Sequence, residues 1–329
     1  MSGAENGDPD ARVLQHRVGP LHLRQRLGIE ADREARVFGQ GIKLFHIENW
    51  FSVHTLIRWV LRLTLLHGRG RRNALSIELC RNEIALAALP PAFDAFTILQ
   101  ISDLHLDMNA ELPHVLSERV RELDYDLCVL TGDFRYRTAG PIEAALAGMD
   151  RLRVHLKDPV YAVLGNHDSI RMVPSMEAMG VRVLLNEAVA IERDGQRLYL
   201  AGIDDPHYYR LDNFEKACEA IPEDATAILL AHTPEVYRQA AHAGFDLMLC
   251  GHTHGGQICL PGGIPLMVNA RCPRRICRKG WRYHQMQGYT SLGAGSSIVD
   301  VRLNNRPEVT LHRLSVASGA PAGATAPAR

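Results

Sequence analysis

Seven residues with carboxylate, amide or imidazole donors fall in five short groups along the middle of the chain. They are Asp103 and His105, Asp133, Asn166, His232, and the pair His252 and His254. His167 and Asp168 adjoin the third group. Together the nine supply three carboxylates, one amide and five imidazoles, with no thiolate among them. Such donors suit a pair of divalent cations such as Mn²⁺, Fe²⁺ or Zn²⁺. Two cations about 3.5–4 Å apart can clamp a phosphoryl group and make hydroxide from water near neutral pH. Each group alone is a weak signal, because Asp-x-His arises by chance and a lone His is more often a surface or core residue. The order of all five across about 150 residues carries the expectation.

Each group sits at or just past an apolar run of strand length. Phe96–Ser102 leads into Asp103, Leu127–Thr131 into Asp133, and Val160–Leu164 into Asn166. Helical patterns over about 111–123 and 141–156 separate these runs. This alternation predicts parallel strands with right-handed crossovers, whose ligands lie beyond the carboxyl ends of the strands. Ala227–Ala231 leads into His232, and Asp246–Cys250 into His252 and His254. Short strands are expected at 181–185, 189–192 and 197–203, with Asp194-Gly195 as a hairpin turn and a helix over 212–220. Closing strands are expected at 289–292 and 308–314. The two halves predict an α/β fold of two mixed β-sheets packed face to face, with helices outside.

The flanks carry other signals. Residues 1–40 are polar and weakly patterned, and an N-terminus without fixed structure is expected there. Residues 41–92 are expected to hold an amphipathic helix and one or two short edge strands before Pro90-Pro91. Val53, Leu56, Ile57, Val60 and Leu63 share one side of that helix, while Arg58 and Arg62 share the other. Two readings stand: a helix packed on the catalytic domain, or one lying in an anionic membrane interface with Trp50, Phe51 and Trp59 near the headgroups. The glycines of His67-Gly68-Arg69-Gly70-Arg71-Arg72 are expected to end it. The catalytic domain is expected over 93–314, and the Ala-, Pro- and Gly-rich tail 315–329 without fixed structure.

Lys and Arg number 37, as do Asp and Glu, so bulk charge names no partner. Arginine clusters lie at 58–72 and 271–282. They lack the aromatic interleaving of a single-strand platform, so no nucleic-acid partner is expected. No obligate protein partner is evident either. Seven cysteines without Cys-x-x-Cys spacing favour a reducing compartment. The first twenty residues lack an apolar core for a secretory signal, and the run 50–66 is broken by His54, Arg58 and Arg62. A cytoplasmic protein is therefore expected, peripheral on the inner membrane under the interfacial reading of the helix.

The five groups, in their order and spelling, resemble the calcineurin-like metallophosphoesterase superfamily. The resemblance spans about residues 96–314 and implies its four-layer α-β-β-α sandwich. It also implies a metal-dependent hydrolase of phosphoric ester or anhydride bonds, with a metal-bridging water as nucleophile. Position by position, Asp103, His105 and His254 would bind one metal, Asn166, His232 and His252 the other, and Asp133 would bridge them. His167 would lie beside the scissile phosphate as a catalytic group, with Asp168 orienting it. Apart from the resemblance, the loop Gly202–His207 is placed to overhang the site, which leaves His207 as either a plain loop residue or a substrate contact. The run Gly251-His252-Thr253-His254-Gly255-Gly256-Gln257, with Arg302 and Asn304 near the end, is similar to a bacterial phosphodiesterase branch. That branch includes UDP-2,3-diacylglucosamine pyrophosphatase-like members. The implied substrate is a phosphodiester or pyrophosphate, on a lipid-linked molecule at the membrane surface. A soluble phosphomonoester or nucleotide, or a metal-binding scaffold without activity, are the other readings.

Overall fold

Neighbouring side chains along the central strands point into different cores, which is what a strand buried on both faces requires. Ile98, Leu127 and Val129 join one apolar cluster, while Leu99, Cys128 and Leu130 join another. The computed structural model describes residues 9–38 and 51–317. In chain order it begins with helices α1 (Pro9–Val18), α2 (Pro20–Phe38), α3 (Phe51–Leu63) and α4 (Leu66–Ala74), then strand β1 (Glu78–Leu86). Alternation follows: β2 (Thr97–Ile101), α5 (Leu112–Val120), β3 (Leu127–Thr131), α6 (Glu143–Arg153), β4 (Val160–Val163), α7 (Val173–Ala178) and β5 (Val181–Val183). The second half runs β6 (Glu187–Arg193), β7 (Gln196–Gly202), α8 (Phe214–Cys218), β8 (Ala227–Leu230), α9 (Tyr237–His242) and β9 (Leu247–Cys250). It closes with the small hairpin β10 (Cys259–Leu260) and β11 (Ile264–Pro265), then β12 (Lys279–Tyr283), β13 (Met286–Thr290) and β14 (Glu308–Val316).

Two six-stranded sheets result, ordered β1-β14-β2-β3-β4-β5 and β12-β13-β9-β8-β7-β6. Both are mixed: β2 to β5 run parallel beside an antiparallel β14, and β7, β8, β9 and β13 run parallel between antiparallel β6 and β12. One core lies between the sheets, where Ile98, Val129 and Val163 meet Leu200, Ile228 and Leu249. A second lies between the first sheet and α5, α6 and α7, through Leu116, Met149 and Met176. The third lies between the second sheet and α8 and α9, through Ala217 and Ala240. This is the expected α-β-β-α sandwich. Asp194 and Gly195, both at positive φ, turn the hairpin between β6 and β7 as expected.

The flanks differ from expectation. Residues 9–38 are two helices, not an unpatterned arm, and Leu14, Val18 and Leu23 enter the core outside the first sheet. The 93–314 span is too narrow, because β1 pairs along its whole length with β14, which itself runs to Val316. Gly68 and Gly70 do not end the helix, contrary to expectation. The break comes at Leu65, at positive φ, and α4 runs on through Gly68 and Gly70. Gly70 is a glycine because a Cβ there would strike Val301. Ile57 and Leu61 of α3 pack on Val299, Val301 and Leu303, whereas Leu56, Val60 and Leu63, which share the apolar side with Ile57, are exposed. Residues 1–8, 39–50 and 318–329, among them Trp50 and most of the tail, lie outside the described residues.

Candidate metal centre

The carboxyl ends of β2, β3, β4, β8 and β9 meet where the two sheets face each other, and the loops leaving them carry the expected donors. Five of these residues, Asp103, His105, Asp133, His252 and His254, have φ between 42° and 70°. Left-handed backbone costs roughly 1–3 kcal/mol at a non-glycine residue and concentrates at functional sites. Gly165 permits the tight approach, since a Cβ there would meet the Asp133 carboxylate.

The donor atoms form buried sets, each within 4.8 Å: Asp103, His105 and His254; Asp133, His232 and His252; and His105, Asp133 and His167. Asn166 belongs with the second, its Oδ1 lying 3.0 Å from His232 Nε2. Asp133 Oδ2 is 3.3 Å from His232 Nε2 and 3.8 Å from His105 Nε2, so one carboxylate faces both groups.

Backbone carbonyls assign the imidazole tautomers. His105 Nδ1 meets the Arg135 carbonyl at 2.9 Å, His232 Nδ1 the Thr131 carbonyl at 2.8 Å, and His252 Nε2 the Asn269 carbonyl at 2.6 Å. Each outer N–H donates to its carbonyl, which leaves the inner nitrogen's lone pair directed inward. Two of them meet directly, His232 Nε2 lying 3.2 Å from His252 Nδ1, and lone pairs so close repel unless a cation or a proton lies between them. His254 differs: its Nδ1 accepts from Arg302 at 3.0 Å, so its Nε2 carries the proton and points it at His105 Nε2, 3.3 Å away, where a cation would displace it. The charge balance agrees. Burial works against the Asp133 carboxylate, but His232 and His167 outweigh it and hold its pKa well below the usual range. Burial disfavours charge on His232, yet Asp133 raises its pKa to about 10. His252 is held neutral, well below the ordinary imidazole range, by burial and then by His207; burial and then Arg302 act likewise on His254. A proton on His232 thus occupies ground that a divalent cation would take, and the donor set fits such cations.

His167 joins the centre's edge. Its Nδ1 meets the Tyr136 carbonyl and its Nε2 is 3.8 Å from Asp133 Oδ2. Asp168 does not orient it, contrary to expectation. Its carboxylate accepts four backbone N–H groups: Asp133 and Gly165 on Oδ2 at 2.8 Å, and Phe134 and Arg135 on Oδ1 at 2.9 and 3.2 Å. Asp168 therefore pins the Asp133 loop to the Asn166 loop, with its lone pairs turned to the backbone. His207 does reach the site: its ring lies 4.2 Å from that of His252, and its Nδ1 is 3.2 Å from Glu235.

Sequence reasoning missed the support given by α2. Arg33 donates to the Asn166 carbonyl at 2.6 Å and Arg26 to the Asp168 carbonyl at 3.1 Å. Glu30 accepts from the Ser169 hydroxyl at 2.6 Å and the Ile170 amide at 2.8 Å. Arg26 also lies over the Tyr209 ring, 3.2 Å from its centroid, and 3.6 Å from Asp204. A signal existed: Leu23, Arg26, Glu30 and Arg33 recur at helical spacing, but a search for apolar stripes passes over a charged one. Arg302 does comparable work opposite, fully buried and donating to the His254 carbonyl at 3.2 Å.

A two-sheet sandwich with this cluster of Asp, Asn and His at its strand ends defines a class, the metal-dependent phosphoester hydrolases. Residues 96–256 match the family model of the calcineurin-like phosphoesterases. The chain is 32% identical over 256 residues to an uncharacterized metallophosphoesterase of Bacillus subtilis, YkoQ, covering 75% of this chain and 93% of that one. It is 28% identical to the phosphodiesterase YaeI of Escherichia coli, covering 67% of this chain and 82% of that one. A transmembrane protein with metallophosphoesterase domain from Bos taurus is 31% identical, over 69% of this chain and 55% of that one. This chain belongs to the calcineurin-like phosphoesterase family, whose members are metal-dependent phosphoester hydrolases. Among the described residues, no helix is long and apolar enough to cross a membrane.

Proposed function

We propose that this chain is a two-metal phosphodiesterase or pyrophosphatase acting on a lipid-linked substrate at a membrane surface. The shared position of Asp133 between two sets of inward imidazoles carries the two-metal part. On this reading Asp103, His105 and His254 hold one cation, Asn166, His232 and His252 the other, and Asp133 both. When bound, the cations supply Lewis acidity and lower the pKa of water. The protein's own groups set the geometry. Outer carbonyls fix the imidazoles, Asp168 ties the loops, and Asn166 adds an uncharged oxygen that keeps the net charge low. His167 is assigned to neither ligand set, although its ring joins His105 and Asp133 in a third buried group. With Nδ1 committed to Tyr136, its Nε2 is the atom suited to hand a proton to the leaving oxygen.

The lipid part is supported by α3, whose Leu56, Trp59, Val60 and Leu63 are exposed beside Arg58 and Arg62. A helix of that composition suits the interface of an anionic bilayer, and hence peripheral attachment at the cytoplasmic face. The test is the purified chain supplied with Mn²⁺ and given bis-p-nitrophenyl phosphate, p-nitrophenyl phosphate and a UDP-linked lipid. Diester and lipid hydrolysis are expected, with about two divalent ions per chain by elemental analysis. Hydrolysis of the monoester alone overturns the bond class. A protein that neither carries metal nor responds to Mn²⁺ overturns the centre.

A further inference from the structure

Exposed large apolar side chains are not spread evenly over this molecule. Among the described residues fourteen are exposed, and ten of them fall in two short segments, six within 56–66 and four within 260–267. The second segment is the β10–β11 hairpin and its exit. Leu260 and Ile264 pair across it, and Leu260, Ile264, Leu266 and Met267 are 49%, 55%, 58% and 54% exposed. Single exposed apolar residues need no explanation, whereas a contiguous group of them marks an interaction site or a membrane contact.

Charge divides in the same way. Residues 51–77 and 247–299 contain no Asp or Glu, yet the first carries five arginines and the second five arginines and a lysine. In a chain of zero formal net charge, that leaves both apolar segments in acid-free, basic stretches. Arg69, Arg71 and Arg72 follow the first segment and Arg271, Arg274 and Arg275 the second, all exposed.

The two segments flank one piece of chain, residues 299–305. On one side α3 packs on Val299, Val301 and Leu303, and Arg69 donates to Asn304 at 3.1 Å. On the other, the Cys259 amide donates to the Leu303 carbonyl at 2.9 Å and Asn304 donates to the Cys259 carbonyl at 2.8 Å. The hairpin is also joined closely to the metal centre. It begins five residues after His254, a Cβ on Gly256 would meet Pro265, and its exit brings the Asn269 carbonyl to His252.

We infer that the β10–β11 hairpin is a second membrane-inserting element, which with α3 seats the mouth of the metal centre on an anionic phospholipid surface. This rests on the reading of α3 as an interfacial helix and adds to it the element that brings the catalytic loop to the lipid. Apolar side chains enter the acyl boundary while the neighbouring arginines meet anionic headgroups, whose attraction is screened by salt. A purely electrostatic partner such as a nucleic acid would have no use for the apolar tip.

The experiment is co-sedimentation of the full chain with vesicles of phosphatidylglycerol and phosphatidylcholine. The parent should sediment with these and far less with phosphatidylcholine alone. L260Q/I264Q/L266Q/M267Q should weaken partitioning roughly tenfold or more, since apolar area drives insertion, while hydrolysis of bis-p-nitrophenyl phosphate is unchanged. R58Q/R62Q/R71Q/R72Q should weaken it through charge and tests α3 and α4 by themselves. If the hairpin variant partitions like the parent while the arginine variant is released, the hairpin inference is overturned and the α3 reading stands. Failure of the parent to sediment overturns both. Salt-sensitive binding that the hairpin variant retains in full points to a soluble polyanion and also overturns the inference. Should the quadruple variant lose its soluble activity, Leu266→Trp decides: its emission, compared with the parent's, should shift to the blue on anionic vesicles, and no shift overturns the inference.

Discussion

The Arg33 guanidinium holds the main-chain carbonyl of Asn166 at 2.6 Å, across 133 residues of sequence. The same helix face brings Arg26 to the Asp168 carbonyl and Glu30 to Ser169 and Ile170. Three side chains of one helix therefore grip the backbone of the loop that carries Asn166 and His167 from behind. Arg26 and Arg33 are buried, and their charge is met by Glu30, Asp204 and the faces of Tyr209 and Tyr208.

Arg33→Met should cost about 1.5–3 kcal/mol of stability, the value of a hydrogen bond from a charged donor. It should also lower kcat on a soluble diester, because the loop it releases carries His167. Arg26→Met should cost more, about 3–5 kcal/mol, since it leaves Asp204 and Glu30 buried without their partner. Denaturant titration of both variants with parallel kinetics checks this. Wild-type stability in Arg26→Met would refute the grip.

Asp133→Asn should abolish most activity and reduce bound metal at both positions, because one carboxylate faces both ligand sets. Elemental analysis of the variant beside the parent reads this out. Retention of two ions per chain would show that Asp133 is not shared.

His167→Ala should keep its metal and lose about 10²–10⁴ in kcat, the usual range for a general acid. Asp168→Asn should behave differently. The amide replaces an acceptor with a donor against backbone N–H groups, so the variant should fall in thermal midpoint as well as in activity. Calorimetry and metal content on the two proteins separate a chemical role from a scaffolding one. An Asp168→Asn protein as stable as the parent would return Asp168 to the catalytic group.

His312 provides a pH prediction away from the metal centre. Burial lowers its pKa to about 3, and it is hydrogen-bonded to Gln100 at 3.0 Å and Asn82 at 3.1 Å. In the unfolded chain it protonates near 6.5. Between those values the unfolded state binds more protons, so stability is fully present above about 6.5 and is lost as pH falls toward 3. The loss is roughly 5 kcal/mol at most. His312→Gln should flatten the acid limb of the stability curve, measured by urea unfolding between about pH 4 and 7. An unchanged slope would place the acid sensitivity elsewhere.

Much of this protein is legible in its sequence because the information is local. Apolar runs ending in Asp103, Asp133, Asn166, His232 and His252 state both the strand and the position of its donor. The two-residue period that splits Ile98 from Leu99 is a property of any strand buried on both faces. Other features depend on partners far along the chain. Asp168 beside His167 suggests an orienting pair, but four amides from two loops claim its carboxylate first. Residues 9–38 look unpatterned in sequence because their buried stripe is built partly of Arg26, Glu30 and Arg33, and charged side chains become core only when packing supplies their partners. The apolar side of α3 suits either a packed face or a membrane interface, and of it Ile57, together with Leu61, meets Val299, Val301 and Leu303 while Leu56, Val60 and Leu63 stay exposed. Periodicity gives a helix its faces; which one is covered was decided by the surface that tertiary packing brought against it.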